Sequence, residues 1–270
     1  MTGRGVAIAD GMRALLIAVV LSGALGCATA PYTGRSQLIL VSPQEESQMG
    51  AAAYKEVLEK SRIDHGSRAN SLVDAVGERI ARAANRPDFE WKYTVIDDAK
   101  QANAFALPGG KVAVYSGIFP IAETTAGLAV VMGHEIAHVL ARHGAERMSQ
   151  SMAAQVGGVV VGVATGSQAV MQAYGLGAQL GLLLPWGRTQ ESEADHIGLI
   201  LMAQAGFDPR EAVAFWQRME KSGDGRQPPE FMSTHPSHET RQQQIEAWLA
   251  EALPYYEGGN KGAVEKLPAP

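Results

Sequence analysis

The run "AGLAVVMGHEIAHVLARHGAER", residues 126–147, decides how this chain is read. It is apolar and free of proline, so it predicts a helix, yet it carries "HEIAH" at 134–138. An α-helix advances about 100° per residue, which places His134 and His138 about 40° apart on one face. Glu135 lies about 100° round from His134, close enough to reach the space in front of both imidazoles. Two buried imidazoles and a carboxylate on an apolar helix are costly without a partner. Two neutral imidazoles one turn apart can grip one zinc ion, and the glutamate stays free to take a proton from water. His134 and His138 are therefore candidate metal ligands, and Glu135 is the candidate general base.

The metal needs a further protein ligand. "ESEADH" at 191–196 supplies the acidic candidates. Glu191 and Asp195 are four apart and share a helix face, whereas Glu193 is about 200° from Glu191 and faces away. One carboxylate of the pair can bind zinc while the other hydrogen-bonds a ligand imidazole. His143 follows His138 by five residues, about 140° round a continuous helix, and is expected at the surface or in packing. The metzincin pattern would need a third histidine six residues after His138 with a glycine between, which this chain lacks.

Outward from these motifs the chain is an ordinary globular sequence. Its 270 residues are 46% hydrophobic and 19% charged, with a net charge of −5 that excludes a nucleic-acid partner on electrostatic grounds. The N-terminus has Arg4 and Arg13 before an apolar core, Ala14–Leu21, and small residues up to Cys27. That is a secretory signal, 1–26, too short in its apolar run for a membrane span. Cys27 is the one cysteine, so no internal disulfide is possible, and a lipid on Cys27 explains it. "ALGC" resembles a bacterial lipoprotein signal, with Ala24 where leucine is usual. By the same resemblance, Ala28 in place of aspartate points to the outer membrane.

Residues 27–42 read as a polar tether. Helices are expected at 43–60, opened by Ser42, Pro43 and Glu45, and at 68–84. Strands are expected at 89–97 and 111–119, with Gly109 and Gly110 turning the chain before the second. A single long helix over 122–148 carries HEIAH. Residues 152–186 hold no charge but are interrupted by glutamines, and read as two helices covering the active-site helix and touching the membrane. A zinc peptidase domain over 43–252 and a disordered tail, 253–270, complete the organisation.

Four motifs in order, "NAFALPGGKVAVYSG" at 103–117, "HEIAHVLARHGAER" at 134–147, "ESEAD" at 191–195 and "STHPSHETR" at 233–241, resemble the HtpX-type zinc metallopeptidases. That is family 48, which includes the CAAX prenyl proteases and the Oma-type proteases. The resemblance implies an α+β fold, mainly helical and zincin-like, with a small β-sheet beside the HExxH helix. It implies one zinc ion per chain held by His134, His138 and Glu191, with Asp195 supporting a ligand. It places His235 near the metal, as a cap or as a donor to the reaction intermediate. It also implies that the edge strand holding Asn103, Ala104, Phe105 and Ala106 pairs with an extended substrate. Main-chain pairing needs an unfolded substrate. The expectation is a zinc endopeptidase, tethered in the periplasm, acting on unfolded or misassembled envelope proteins. A second expectation is a zinc-stabilised chaperone or outer-membrane assembly factor with slight or conditional proteolysis.

Overall fold

Ser42 starts the first helix as its chemistry predicts. In the computed structural model, which describes residues 27–178, 184–223, 229–235 and 240–270, the Glu45 N–H donates to Ser42 Oγ and the Ser42 N–H to Glu45. This reciprocal cap opens helix α1, Pro43–Lys60. Helix α2, Arg68–Ala84, is capped by Ser67 and ends where Asn85 turns left-handed. Both helices match the expected bounds. The signal, 1–26, lies outside the described residues.

The strands are β3, Ile63–Asp64, β4, Lys92–Ile96, β5, Ala104–Leu107, and β6, Lys111–Tyr115, in the order β3-β4-β6-β5. β4 and β6 pair in parallel with Lys92 opposite Lys111, and β5 folds back antiparallel on β6 through Gly109 and Gly110, both at positive φ. β5 is the sheet edge. β6 is shorter than the expected strand, because the chain turns at Ser116–Ile118 and continues as the short helix α3, Phe119–Ala122. Helix α1 lies so close to the β5–β6 turn that a Cβ on Gly50 would meet the Pro108 carbonyl oxygen at 2.3 Å.

The expected long helix is in fact two. Helix α4, Thr125–Leu140, stops at Ala141, Arg142 adopts a left-handed conformation with φ 56°, and helix α5 runs from His143 to Thr165. No glycine or proline marks the break. Long-range contacts hold it: Gln37 donates to the Ala141 carbonyl at 2.6 Å, and Arg142 reaches Glu46 and the Val41 carbonyl. Every residue of α4 is buried, against α2, the sheet and helix α7, Leu184–Gln204. Helix α8, Glu211–Ser222, adds Phe215 and Trp216 to this core, and α9, Glu230–Thr234, and α10, Arg241–Glu257, close it.

Three expectations about the periphery need correcting. Residues 27–42 are not a free tether: β1, Cys27–Thr29, and β2, Ser36–Leu38, form a hairpin, and Ala30, Gln37 and Ile39 are buried. The tail is not disordered. It straps the start of α4, where Thr125 N–H donates to the Glu265 carbonyl at 2.9 Å and Leu267 is buried. Residues 152–176 do not cover the active-site helix, since none of them is buried. There α5 packs against α6, Gln168–Ala178, with Tyr174 Oη donating to the Ala154 carbonyl. No helix among the described residues is long and apolar enough to cross a membrane.

Candidate metal centre and active site

Helices α4 and α7 cross at a pair of glycines. A Cβ on Gly198 would meet the His134 backbone nitrogen at 2.9 Å, and one on Gly133 would meet the Gly198 carbonyl oxygen at 3.0 Å. Only hydrogen side chains allow this approach, and it brings the HEIAH face onto the ESEAD face. His134, His138, Glu191 and His235, all buried, then offer ligand atoms within 4.8 Å of one another.

The spacing inside that cluster is diagnostic. His134 Nε2 lies 3.1 Å from His138 Nε2 and 3.2 Å from His235 Nδ1. Glu191 oxygens lie 3.3 Å from His134 Nε2, 3.4 Å from His138 Nε2 and 3.0 Å from His235 Nδ1. Zinc with bonds of about 2.0–2.1 Å in a tetrahedron needs ligand atoms about 3.3 Å apart. Three imidazole nitrogens and a carboxylate converging at that spacing fit zinc by donor type as well as by distance. The electrostatics agree. Burial alone would lower the His134 pKa, but Asp195 and Glu191 hold it raised to about 9. The cluster thus favours a positive charge at its centre. Burial drives His138 well below its ordinary value, leaving the neutral imidazole that a metal needs.

The surroundings orient the ligands. Asp195 Oδ1 accepts from His134 Nδ1 at 2.9 Å. Burial would raise the Asp195 pKa, but Arg241 and His134 keep it below its ordinary value. The Arg241 guanidinium pairs with Asp195 at 2.7 Å, donates to the His235 carbonyl at 3.2 Å, and lies over the Trp216 ring at 3.4 Å. Arg241 was not singled out from the sequence, where an arginine at a helix start carries no signal of its own.

Glu135 is buried and its Oε1 makes no hydrogen bond, although His235 Nε2 lies 3.2 Å away. Burial raises its pKa, as suits a proton acceptor. The nearby Ala106 N–H of edge strand β5 acts against that rise, so the expected substrate strand and the expected base adjoin. Asn103 precedes that strand, and Ala104 and Phe105 lie within it, Ala104 buried and Phe105 half-buried.

His235 stands at the end of α9, buried, with Nδ1 among the ligand atoms. It is a member of the cluster, beside the metal position where the resemblance puts it as a cap or a donor. Glu193 does point away from the ligands, but into a second buried polar group and not into solvent. His143, expected at the surface or in packing, is fully buried with Nδ1 2.8 Å from His138 Nδ1. The helix break at Arg142 turns it back. A continuous helix would have carried it away.

Comparison with known proteins agrees with the geometry. A family profile described as Peptidase family M48 matches residues 67–249. The chain is 40% identical over 226 residues to the mitochondrial metalloendopeptidase OMA1 of Schizosaccharomyces pombe, covering 82% of this chain and 66% of that protein. It is 33% identical to the protein of the same name from Saccharomyces cerevisiae, over 84% of this chain and 70% of that one. The beta-barrel assembly-enhancing protease of Escherichia coli is 27% identical over 79% of this chain and 45% of its own length. The chain thus spans about two thirds of the fungal relatives and under half of the bacterial one.

Proposed function

The chain belongs to peptidase family M48, and on that premise we propose that it is a zinc-dependent endopeptidase acting on unfolded or misassembled envelope proteins. The observation that carries the reading is Glu135. A buried carboxylate with a free oxygen stands beside a zinc-fitting cluster and against an open sheet edge.

His134, His138 and Glu191 would hold the ion. Zinc, when bound, polarises a peptide carbonyl and lowers the pKa of water to about 7. Glu135 takes the proton of the attacking water and delivers it to the leaving amine; its burial strengthens it as the acceptor in the first transfer. Residues 103–106 align the substrate main chain along β5, which selects for extended, unfolded polypeptide. His235 Nδ1, the fourth member of the cluster, would cap the ion at rest, an arrangement that a peptide would have to open.

Lipidation at Cys27 would fix the protein to the outer membrane facing the periplasm. The apolar run before Cys27 supports this, and Cys27→Ser should then release the protein from membranes. Retention on membranes after a salt wash would place the anchor elsewhere.

Activity is tested by incubating the purified chain with unfolded casein, with and without a zinc chelator. Glu135→Gln should keep its zinc and lose roughly 10²–10⁴ in turnover. Full turnover by that variant would remove Glu135 from the chemistry. A second reading, a zinc-stabilised chaperone or assembly factor, draws on the α5–α6 hairpin, where Val159 is 66% and Val163 84% exposed. It would be favoured if Glu135→Gln protected unfolded clients as well as the wild type did, while the wild type cleaved none.

A further inference from the structure

A polar group outside the metal cluster, with buried carboxylates and a half-buried arginine, joins the N-terminal hairpin to His138. Its centre is Arg35, on the turn between β1 and β2. The guanidinium grips Glu146 with two parallel bonds, at 2.7 and 2.8 Å, and reaches Glu193 from Nε at 2.8 Å and Nη2 at 2.7 Å. Both carboxylates are buried. Thr33 donates to the other oxygen of Glu193, and Gln190 donates to Glu146 at 2.7 Å. Glu193 Oε2 in turn lies 3.0 Å from His143 Nε2, and His143 Nδ1 lies 2.8 Å from His138 Nδ1.

The hydrogen-bond directions along this chain are forced. Ionised Glu193 can only accept, so His143 carries its proton on Nε2 and donates it. Neutral His143 then has a bare Nδ1, which accepts from His138 Nδ1–H. His138 is left with a bare Nε2, and that nitrogen faces Glu191 and His134 in the cluster. Arg35 fixes the first step, because its two bonds to Glu193 Oε2 hold that oxygen in place against His143.

From this we infer that Arg35 is a positioning residue for the metal site, acting through Glu193 and His143 to set the tautomer and angle of the ligand His138. The N-terminal segment is then a working part of the active centre. The inference rests on the reading that His134, His138 and Glu191 hold zinc. It goes beyond that reading because it assigns a role to residues outside the cluster.

The test reads the metal directly. Full-length protein is loaded with zinc or cobalt(II), zinc affinity is measured by chelator competition, and the visible absorption of the cobalt form is recorded. His143→Leu, which cannot accept from His138, should weaken zinc binding roughly 10–100-fold and shift the cobalt bands. His143→Gln, whose amide can accept from His138 and donate to Glu193, should restore most of the affinity. Arg35→Lys keeps the charge that the buried carboxylates require, so it should fold. It loses the planar fork, and should weaken zinc binding several-fold with a smaller cobalt shift. The double variant Arg35→Lys/His143→Leu should bind no more weakly than His143→Leu alone, because both act along one chain. In cleavage assays kcat should fall while KM holds.

Wild-type zinc affinity and unshifted cobalt bands in folded Arg35→Lys and His143→Leu would overturn the inference. So would additive losses in the double variant. A wild type that bound no zinc would instead refute the metal reading itself.

Discussion

His134 and His138 sit one turn apart on the same helix, yet the molecule holds them in different ways. His134 is oriented by Asp195, a carboxylate on the facing helix one turn from Glu191 of the cluster. Arg241 backs that carboxylate, stacked over Trp216. His138 is oriented by another imidazole, His143, beyond a helix break, and behind it stand Glu193 on the facing helix and Arg35 on the N-terminal hairpin. The first support is direct and local to the helix pair that makes the site. The second is a relay whose far end lies near the start of the described chain. A metal ligand can therefore be tuned from a distant segment, provided that each link has only one way to hydrogen-bond.

Asp195→Asn attacks the direct side and should have the largest effect. It removes the charge that balances His134 and Arg241, and zinc affinity should fall about 100-fold by chelator competition. A loss smaller than that of the relay variants would invert the comparison.

Glu193→Gln attacks the relay. The amide can still accept from His143 but lacks the charge that matches Arg35, so a loss of roughly tenfold in zinc affinity is expected. Burial would raise the Glu193 pKa, but hydrogen bonds from His143, Arg35 and Thr33 hold it down to about 2. The charge that the variant removes is therefore present throughout the neutral range. Unchanged affinity in the folded variant would reduce the relay to packing.

His235→Ala touches neither support. His235 completes the cluster from the end of the short helix α9. Zinc affinity should drop only a few-fold, and basal casein cleavage should rise more than twofold as the fourth place opens. A fall in turnover of roughly 10²–10³ would instead mark His235 as a donor to the developing oxyanion.

Gly198→Ala should have the smallest effect on chemistry, because it strains the helix crossing that both supports share. A Cβ at 2.9 Å from the His134 backbone nitrogen must push α4 and α7 apart. About 1–3 kcal/mol of stability should be lost in urea unfolding, with both ligands weakened alike. Selective loss on one side would show that the two supports do not share that crossing.

The metal cluster was legible from sequence because its signals are local. HEIAH and ESEAD each place two groups on one face of one helix, while the choice of Glu191 over Asp195 and the place of His235 came only from the family resemblance. The helices 43–60 and 68–84 were legible for the same reason, since caps and apolar periodicity act within a few residues, whereas the edge strand was expected only from the family resemblance. Glu193 shows the limit. Its angle from Glu191 was read correctly, but what it would face depended on which segment came to lie there.

The sequence by itself thus offered the two histidines, the candidate base and the carboxylate pair, because residue spacing on a helix is fixed by backbone geometry. The fold class came from the order of the four motifs that carry the family resemblance. Only the tertiary structure decided that α4 ends at Ala141, that His143 turns inward, that Arg35 closes the relay and that the tail is strapped down. Each of these depends on a partner distant in sequence: Gln37 for the Ala141 carbonyl, Glu193 for His143, Thr125 for the tail. Buried polar groups must be satisfied by whatever the folded chain brings to them, and no local propensity specifies that partner.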